Sequence, residues 1–447
     1  MNKILIIPKY IVTADKNGAI LKNHIVEISG DKISNIKPFE KKEVKEFEGE
    51  VVHAENLTMI PGFVQTHIHL CQTLFRGLAD DLELLDWLQQ RIFPYENAHD
   101  AGSLRLSAKL GLNELIKSGT TTIMDMGTLR HQEIIFEELD KSGIRAFAGK
   151  CMMDENELFT PFKSSTKDEL RYTYDLAKEF HQDNGRIKYG FAPRFVLSCS
   201  EELLIGAKEM MGEFGGSLYH THSSENRNEC AVVRKKHNKD NIEYFDSLNL
   251  LNDRTVLAHC IHVNDNEIKI LKDKGSKVAH CPSSNLKLGS GVAQIPKYLQ
   301  EGISVSLGAD GAPCNNNLNI FNEMRLASLI QKPLHGPTAM NAETIFRMAT
   351  IEGAKALNIG KETGSIETGK KADLVLLNLD TPFQSLSNGE DNIYSNIVYS
   401  ASKDNIVSVM IDGKMVLNGG ESPIYDDLEL FDAGRTELKK LIKRSQN

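Results

Sequence analysis

The 447-residue chain lacks any apolar run near the ~20 residues that cross a bilayer. Its start, Met1–Pro8 (MNKILIIP), is too short and too soon interrupted to read as a secretory signal. No membrane partner is therefore expected. It also lacks a Cys-x-x-Cys pair: seven cysteines lie scattered along it, an odd number that argues against a disulfide framework and fits a reducing, cytoplasmic compartment. Excess positive charge is missing as well. With 52 Lys and Arg against 61 Asp and Glu, the formal charge of −9 gives no attraction to nucleic acid or to an anionic membrane. Low-complexity segments and repeats at a solenoid period are absent. What is present is an ordinary globular composition, 40% hydrophobic and 25% charged, with a small molecule as the expected partner.

The length suits a barrel with insertions plus one smaller domain. Residues 1–57 carry short β-type runs at 4–7, 10–13, 24–28 and 32–36, separated by Gly and Asp, and read as a small antiparallel unit. From 58 to 365 apolar runs alternate with helical stretches, as in 103–117 followed by 119–125 and 265–274 followed by 277–280; that alternation predicts parallel strands. Residues 366–447 turn β again at 372–378 and 406–416, where the alternation suggests a sheet with one wet face. They end in a charged helix over 428–444, expected on the surface. The predicted fold is α/β: a (β/α)8 TIM-type barrel over 58–365 with a small composite β-sandwich domain made from 1–57 and 366–447.

His67 and His69 stand at i, i+2 in Phe63–Leu70 (FVQTHIHL), so that on a strand both imidazoles leave one face and can close on a single metal ion. Alone, that pair is weak evidence. Further polar residues end other β-type runs: His220 and His222 after 215–219, His259 after 256–258, and Asp310 after 305–309. In a barrel the carboxyl ends of the strands meet on one face, where such enzymes keep their chemistry, and a catalytic zinc takes three or four N or O ligands with an open position. His67, His69, His222 and Asp310 are the expected ligands. His220 shares a strand face with His222; His222 is preferred because Glu225 follows it by three residues, close enough to shuttle protons. His259 is expected beside the metal, orienting the nucleophile or polarising the substrate. Cys260 and Cys281, directly after His259 and His280, could offer thiolate ligands but are expected as buried core residues; His262 and His280 are noted as pocket candidates with a structural hydrogen bond favoured, while His24, His99, His181 and His237 are expected on solvated surface. One divalent ion is expected, zinc first, with iron and manganese open because this donor set accepts each.

These residues carry a resemblance. From PGFVQTHIH at 61–69 through HCPSSNLKLGSG at 280–291 to GSIETGKKAD at 364–373, the chain resembles the amidohydrolase superfamily over essentially its full length. It is most similar to the metal-dependent aminohydrolases of heteroaromatic rings: 5′-methylthioadenosine, S-adenosylhomocysteine or 5′-deoxyadenosine deaminases, guanine deaminases and s-triazine hydrolases. The resemblance implies a metal on His67, His69, His222 and Asp310, with Glu225, His259 and Asp310 as catalytic groups, and oligomers by analogy. Segments 308–325 and 76–81 with Trp87 are similar to the 5′-substituted adenosine deaminases. Segments 192–201 and 224–229, with Gln72, Arg194 and Phe195, are similar to guanine deaminases. The expected reaction is hydrolytic deamination of a 5′-modified adenosine, the alternatives being guanine deamination and s-triazine hydrolysis.

Overall fold

The computed structural model describes residues 2–387 and 390–446. The helix Asp265–Lys274 shows how the repeating unit is punctuated. Asn264 accepts from the backbone N–H groups of Asn266 and Glu267, Glu267 accepts from the Asn264 N–H in return, and Gly275 ends the helix at φ 68°. Two residues on, the strand Lys277–His280 begins.

Strands Leu218–Ser223, Thr255–His259, Lys277–His280 and Val305–Leu307 pair successively in parallel. Ile187–Pro193 pairs in the same sense with Leu218–Ser223 on one side and Arg145–Ala148 on the other. The row continues through Thr120–Asp125 to Phe63–His69. It closes because the chain leaving Val305–Leu307 at one edge pairs again, at Asp310–Gly311, with Phe63–His69 at the opposite edge, placing Asp310 against Ile68. Gly308 lies in that closure, where a Cβ would come within 2.6 Å of the His67 backbone oxygen. Only glycine permits the approach. The result is the expected (β/α)8 barrel.

The two ends of the chain supply a separate β domain. Lys3–Val12, Ile20–Lys22, His24–Ser29, Lys32–Pro38 and Glu50–Pro61 join Leu374–Leu377, Ile406–Ile411 and Lys414–Asn418 in one eight-stranded sheet. Leu374–Leu377 lies antiparallel to Glu50–Pro61 and so links the two ends. Lys3–Val12 and Glu50–Pro61 instead run parallel, a departure from the all-antiparallel expectation. The intervening hairpin and the helix Lys41–Glu46 give the chain enough length for the crossover a parallel pair needs. Nor is a face wet at the middle of the sheet. Leu374–Leu377 is buried throughout, and in the first strand Ile4 and Ile6 enter one apolar cluster while Leu5 and Ile7 enter another. A strand covered on both faces reads as a continuous apolar run.

The chain divides into two compact units, Met1–Val64 with Asn113–Thr122 and Asn319–Ile424, and Gln65–Leu112 with Ile123–Leu318 and Tyr425–Asn447. The closing helix Asp427–Ser445 groups with the second unit. It is also more than a surface helix. Leu430, Gly434 and Leu441 make a buried stripe at helical spacing, and Leu441 joins the apolar cluster that contains Trp87, Phe93 and Phe195. Arg444 Nε donates to the Ala98 carbonyl at 2.8 Å. No described helix is long and apolar enough to cross a membrane.

Candidate functional site

Four strand ends of the second unit converge. From Phe63–His69 come His67 and His69, from Leu218–Ser223 comes His222, from Thr255–His259 comes His259, and from the closing strand comes Asp310. Asp310 Oδ1 lies 3.1 Å from His67 Nε2 and 3.4 Å from His69 Nε2; the Nε2 atoms of His69 and His222 face each other at 3.3 Å. His67, His222, His259 and Asp310 can each offer a ligand atom within 4.8 Å of every other. The backbone here is strained: Ser224, His259, Cys260 and Asp310 all adopt positive φ, between 46° and 72°. Non-glycine residues persist there when their surroundings hold them, which is common at functional sites.

The protons on these rings can be placed from their partners. His222 Nδ1 lies 2.7 Å from the Arg194 carbonyl, which can only accept, so Nδ1 carries the hydrogen and Nε2 is a bare lone pair. His259 Nδ1 donates to Asn285 Oδ1 at 2.9 Å, leaving its Nε2 bare as well. His67 Nε2 and His259 Nε2 are buried without a hydrogen-bond partner. Burial depresses the His67, His69 and His222 imidazoles below their ordinary pKa, which keeps them neutral and able to ligate. The bare Nε2 atoms of His222 and His259 and the Asp310 carboxylate make an electron-rich cluster that attracts a cation. The donor set therefore fits a divalent metal ion of the zinc, iron or manganese type.

Glu225 stands at the rim of this cluster, its Oε2 3.5 Å from His259 Nε2. Burial, reinforced by the carboxylates of Asp310 and Glu229, pushes its carboxyl well above the usual range. Its backbone N–H donates to Glu229 Oε2 at 2.8 Å, and Ser284 Oγ donates to Asp310 Oδ2 at 2.6 Å. A cavity of about 350 Å³ opens over the cluster, lined by His69, Gln72, Leu84, Trp87, Leu88, Arg194, Phe195, His222, Glu225, His259 and Asp310. A space of this size suits a small molecule.

Every substrate-side candidate from the sequence reaches that cavity, but Arg194 is not free within it. Its guanidinium pairs with both oxygens of Glu96, at 2.7 and 3.3 Å, and stacks over Phe93 at 5.0 Å; Glu96 Oε1 also accepts from Gln72 Nε2 at 2.8 Å. Glu96, Glu229, Ser284 and Asn285 are contacts that sequence reasoning missed. Ser284 and Asn285 lay inside the quoted 280–291 motif, whereas Glu96 sits on the short helix Phe93–Asn97 with no motif to mark it. Trp87 Nε1 and Gln72 Oε1 are buried without partners at the cavity. The minor candidates divide. His262 Nε2 bonds the Ser290 carbonyl at 2.8 Å, Cys260 and Cys281 are buried thiols, and neither nitrogen of His280 has a hydrogen-bond partner. Two histidines expected in solvent are instead structural. His99 bonds Cys71 O and Ser103 Oγ, and His181 bonds Gly215 O and the Tyr189 N–H.

Residues 58–416 match the model of the Amidohydrolase family. The chain belongs to this family. Among its curated relatives, the 5′-deoxyadenosine deaminase of Methanocaldococcus jannaschii is 38% identical over 427 residues, covering 94% of this chain and 97% of that protein. Among solved amidohydrolase-fold structures, an adenosine deaminase from Xanthomonas campestris with bound zinc superimposes with a TM-score of 0.92 at 28% identity and covers 99% of each chain. The E. coli guanine deaminase gives a TM-score of 0.82 at 25% identity, covering 94% of this chain and 100% of that one.

Proposed function

We propose that this chain is a metal-dependent hydrolytic deaminase of a purine ring, acting on a 5′-modified adenosine, with 5′-deoxyadenosine and 5′-methylthioadenosine foremost and S-adenosylhomocysteine after them. The observation that carries the reading is the pairing of a buried His and Asp cluster with the carboxyl group of Glu225, 3.5 Å from His259 Nε2, at one cavity. The relatives named for 5′-deoxyadenosine deamination support the substrate. His67, His69, His222 and Asp310 hold one divalent ion, zinc first given the zinc in the adenosine deaminase neighbour. When bound, the ion supplies the Lewis acidity that makes water a nucleophile near neutral pH.

Glu225 enters as the acid and passes its proton to the ring nitrogen next to C6 as water adds to that carbon. As a carboxylate it then takes a proton from the water and delivers it to the amine, which departs as ammonia. The hydroxyl proton left on C6 returns to the site carboxylates, Glu225 or Asp310, and the ring carbonyl forms. His259, its Nε2 bare and 3.8 Å from Asp310 Oδ2, orients the incoming oxygen. Trp87 and Phe195, with Leu84 and Leu88, give the purine and its 5′ substituent an apolar wall. Arg194 is neutralised by Glu96, so no free cation of the cavity lining awaits a charged 5′ tail. The seven buried cysteines, none of them in a disulfide, support a reducing, cytoplasmic setting, and a homo-oligomer is proposed by family analogy.

Gln72, Arg194 and Phe195 at the cavity favour guanine as the second reading. Ammonia release from metal-loaded enzyme, compared as kcat/KM across 5′-deoxyadenosine, 5′-methylthioadenosine, S-adenosylhomocysteine, adenosine and guanine, decides between them. Preference for guanine overturns the nucleoside reading.

A further inference from the structure

We propose that His220, which is not among the expected ligands, is a positioning residue of the metal centre: it fixes His67 in the form that turns a bare Nε2 toward the ion. The proposal rests on the metal reading above. It follows from a chain of three groups whose contacts fix the tautomer of His220 and the direction of its bond to His67. His220 is opposite Val256 in the parallel ladder, and its Nδ1 lies 3.1 Å from the Val256 carbonyl. A carbonyl only accepts, so Nδ1 carries the hydrogen and the other ring nitrogen accepts. That acceptor, Nε2, lies 2.7 Å from His67 Nδ1. His67 therefore donates through Nδ1, and in the neutral ring that a metal ion requires its Nε2 is the lone pair, 3.1 Å from Asp310 Oδ1.

The other arrangements fail. With the hydrogen on Nε2, His220 would face the Val256 carbonyl with a second acceptor, in a place where both side chains are fully buried and no water can intervene. A doubly protonated His220 would be a buried cation with no carboxylate hydrogen-bonded to it, which is costlier still. His220 and His222 thus share a strand face without sharing a role: His222 is oriented by the Arg194 carbonyl, whereas the Val256 carbonyl acts on His67 through His220.

The test compares the zinc-loaded wild-type chain with His220→Leu and His220→Gln, measuring zinc affinity by competition with a graded chelator. Leucine removes both hydrogen bonds; the glutamine amide can donate to Val256 O and accept from His67. The expected result is a ~10–100-fold loss of zinc affinity in His220→Leu, the usual effect of losing a partner that orients a ligand, with affinity close to wild type in His220→Gln. Wild-type affinity in His220→Leu overturns the proposal. So does a folded His220→Gln as weak as the leucine variant, because the loss would then be one of packing. If His220→Leu does not accumulate as folded protein, ¹⁵N tautomer signals of the zinc-loaded wild type decide: hydrogen on Nδ1 of both His67 and His220 supports the relay, and hydrogen on Nε2 of either overturns it. A wild-type chain that holds no zinc sinks the metal reading itself, whereas tight wild-type binding unchanged in His220→Leu sinks the relay alone.

Discussion

The sheet built from the two chain ends and the carboxyl ends of the barrel strands are both buried, but by opposite means. In the sheet the buried groups are aliphatic on both faces, and the backbone polar groups are taken up by ladder pairing. At the strand ends they are imidazoles, carboxylates and amides. Several of these, His67 Nε2, His69 Nδ1, His259 Nε2 and Gln72 Oε1 among them, have no hydrogen-bond partner, and four residues sit at positive φ. Buried polar atoms without partners are uncommon and destabilising. The first region thus contributes stability, and the second holds strain and unmet polar groups that a metal and a substrate can satisfy. Substitutions in the sheet should move stability and leave turnover alone; substitutions of the reacting groups should do the reverse.

The sharpest exception should be Glu96, which lies at the cavity yet holds a buried ion pair. Glu96→Leu leaves the Arg194 guanidinium without a counter-charge and should lower unfolding free energy by about 3–5 kcal/mol. Urea denaturation measures it; a loss under ~1 kcal/mol would mean that water reaches the pair. Leu5→Ala in the sheet, at a fully buried position, should cost about 3 kcal/mol with kcat unchanged once the protein is folded. A parallel fall in kcat would break the division between the regions. Glu225→Gln should lower kcat at least ~10²-fold, about 2.7 kcal/mol of barrier, while metal content by elemental analysis and the melting temperature stay near wild type. Retained turnover would remove Glu225 from the chemistry.

The candidate ligands could be picked from the sequence because each lies at the end of a β-type run, and barrel geometry brings such ends together whatever their separation in sequence. Asp310 and His67 are paired by ring closure, and His222 and Glu225 by one strand-to-helix turn. The groups that support them were harder to read. Glu96 meets Arg194 across 98 positions, from a short helix whose sequence carries no periodic signal. The closing helix looked like surface because its charges outnumber the three positions, Leu430, Gly434 and Leu441, that face inward. The parallel pairing of the first strand with Glu50–Pro61 escaped because short apolar runs show where strands lie and not which neighbours they take. His220 was seen, but its part depends on which ring nitrogen faces which carbonyl, and spacing does not report that.

His99 offers the smallest effect and a clean sign. It was expected in solvent, yet its Nε2–H donates to the Cys71 carbonyl at 2.7 Å and its Nδ1 lies 3.0 Å from Ser103 Oγ. Burial lowers its pKa from 6.5 to about 4, although the Cys71 carbonyl works in the opposite direction. Below pH 6.5 the unfolded chain therefore binds a proton that the folded chain refuses, and stability falls as the pH drops from 6.5 toward 4, reaching a loss of about 2 kcal/mol at pH 5. His99→Gln retains a donor for Cys71 O and removes the titration. Its unfolding free energy should change less between pH 7 and pH 5 than that of the wild type by this amount. An equal change in both proteins would assign the acid sensitivity to other groups, the imidazoles at the strand ends first among them, and would place the acid-labile part of the molecule at the candidate site.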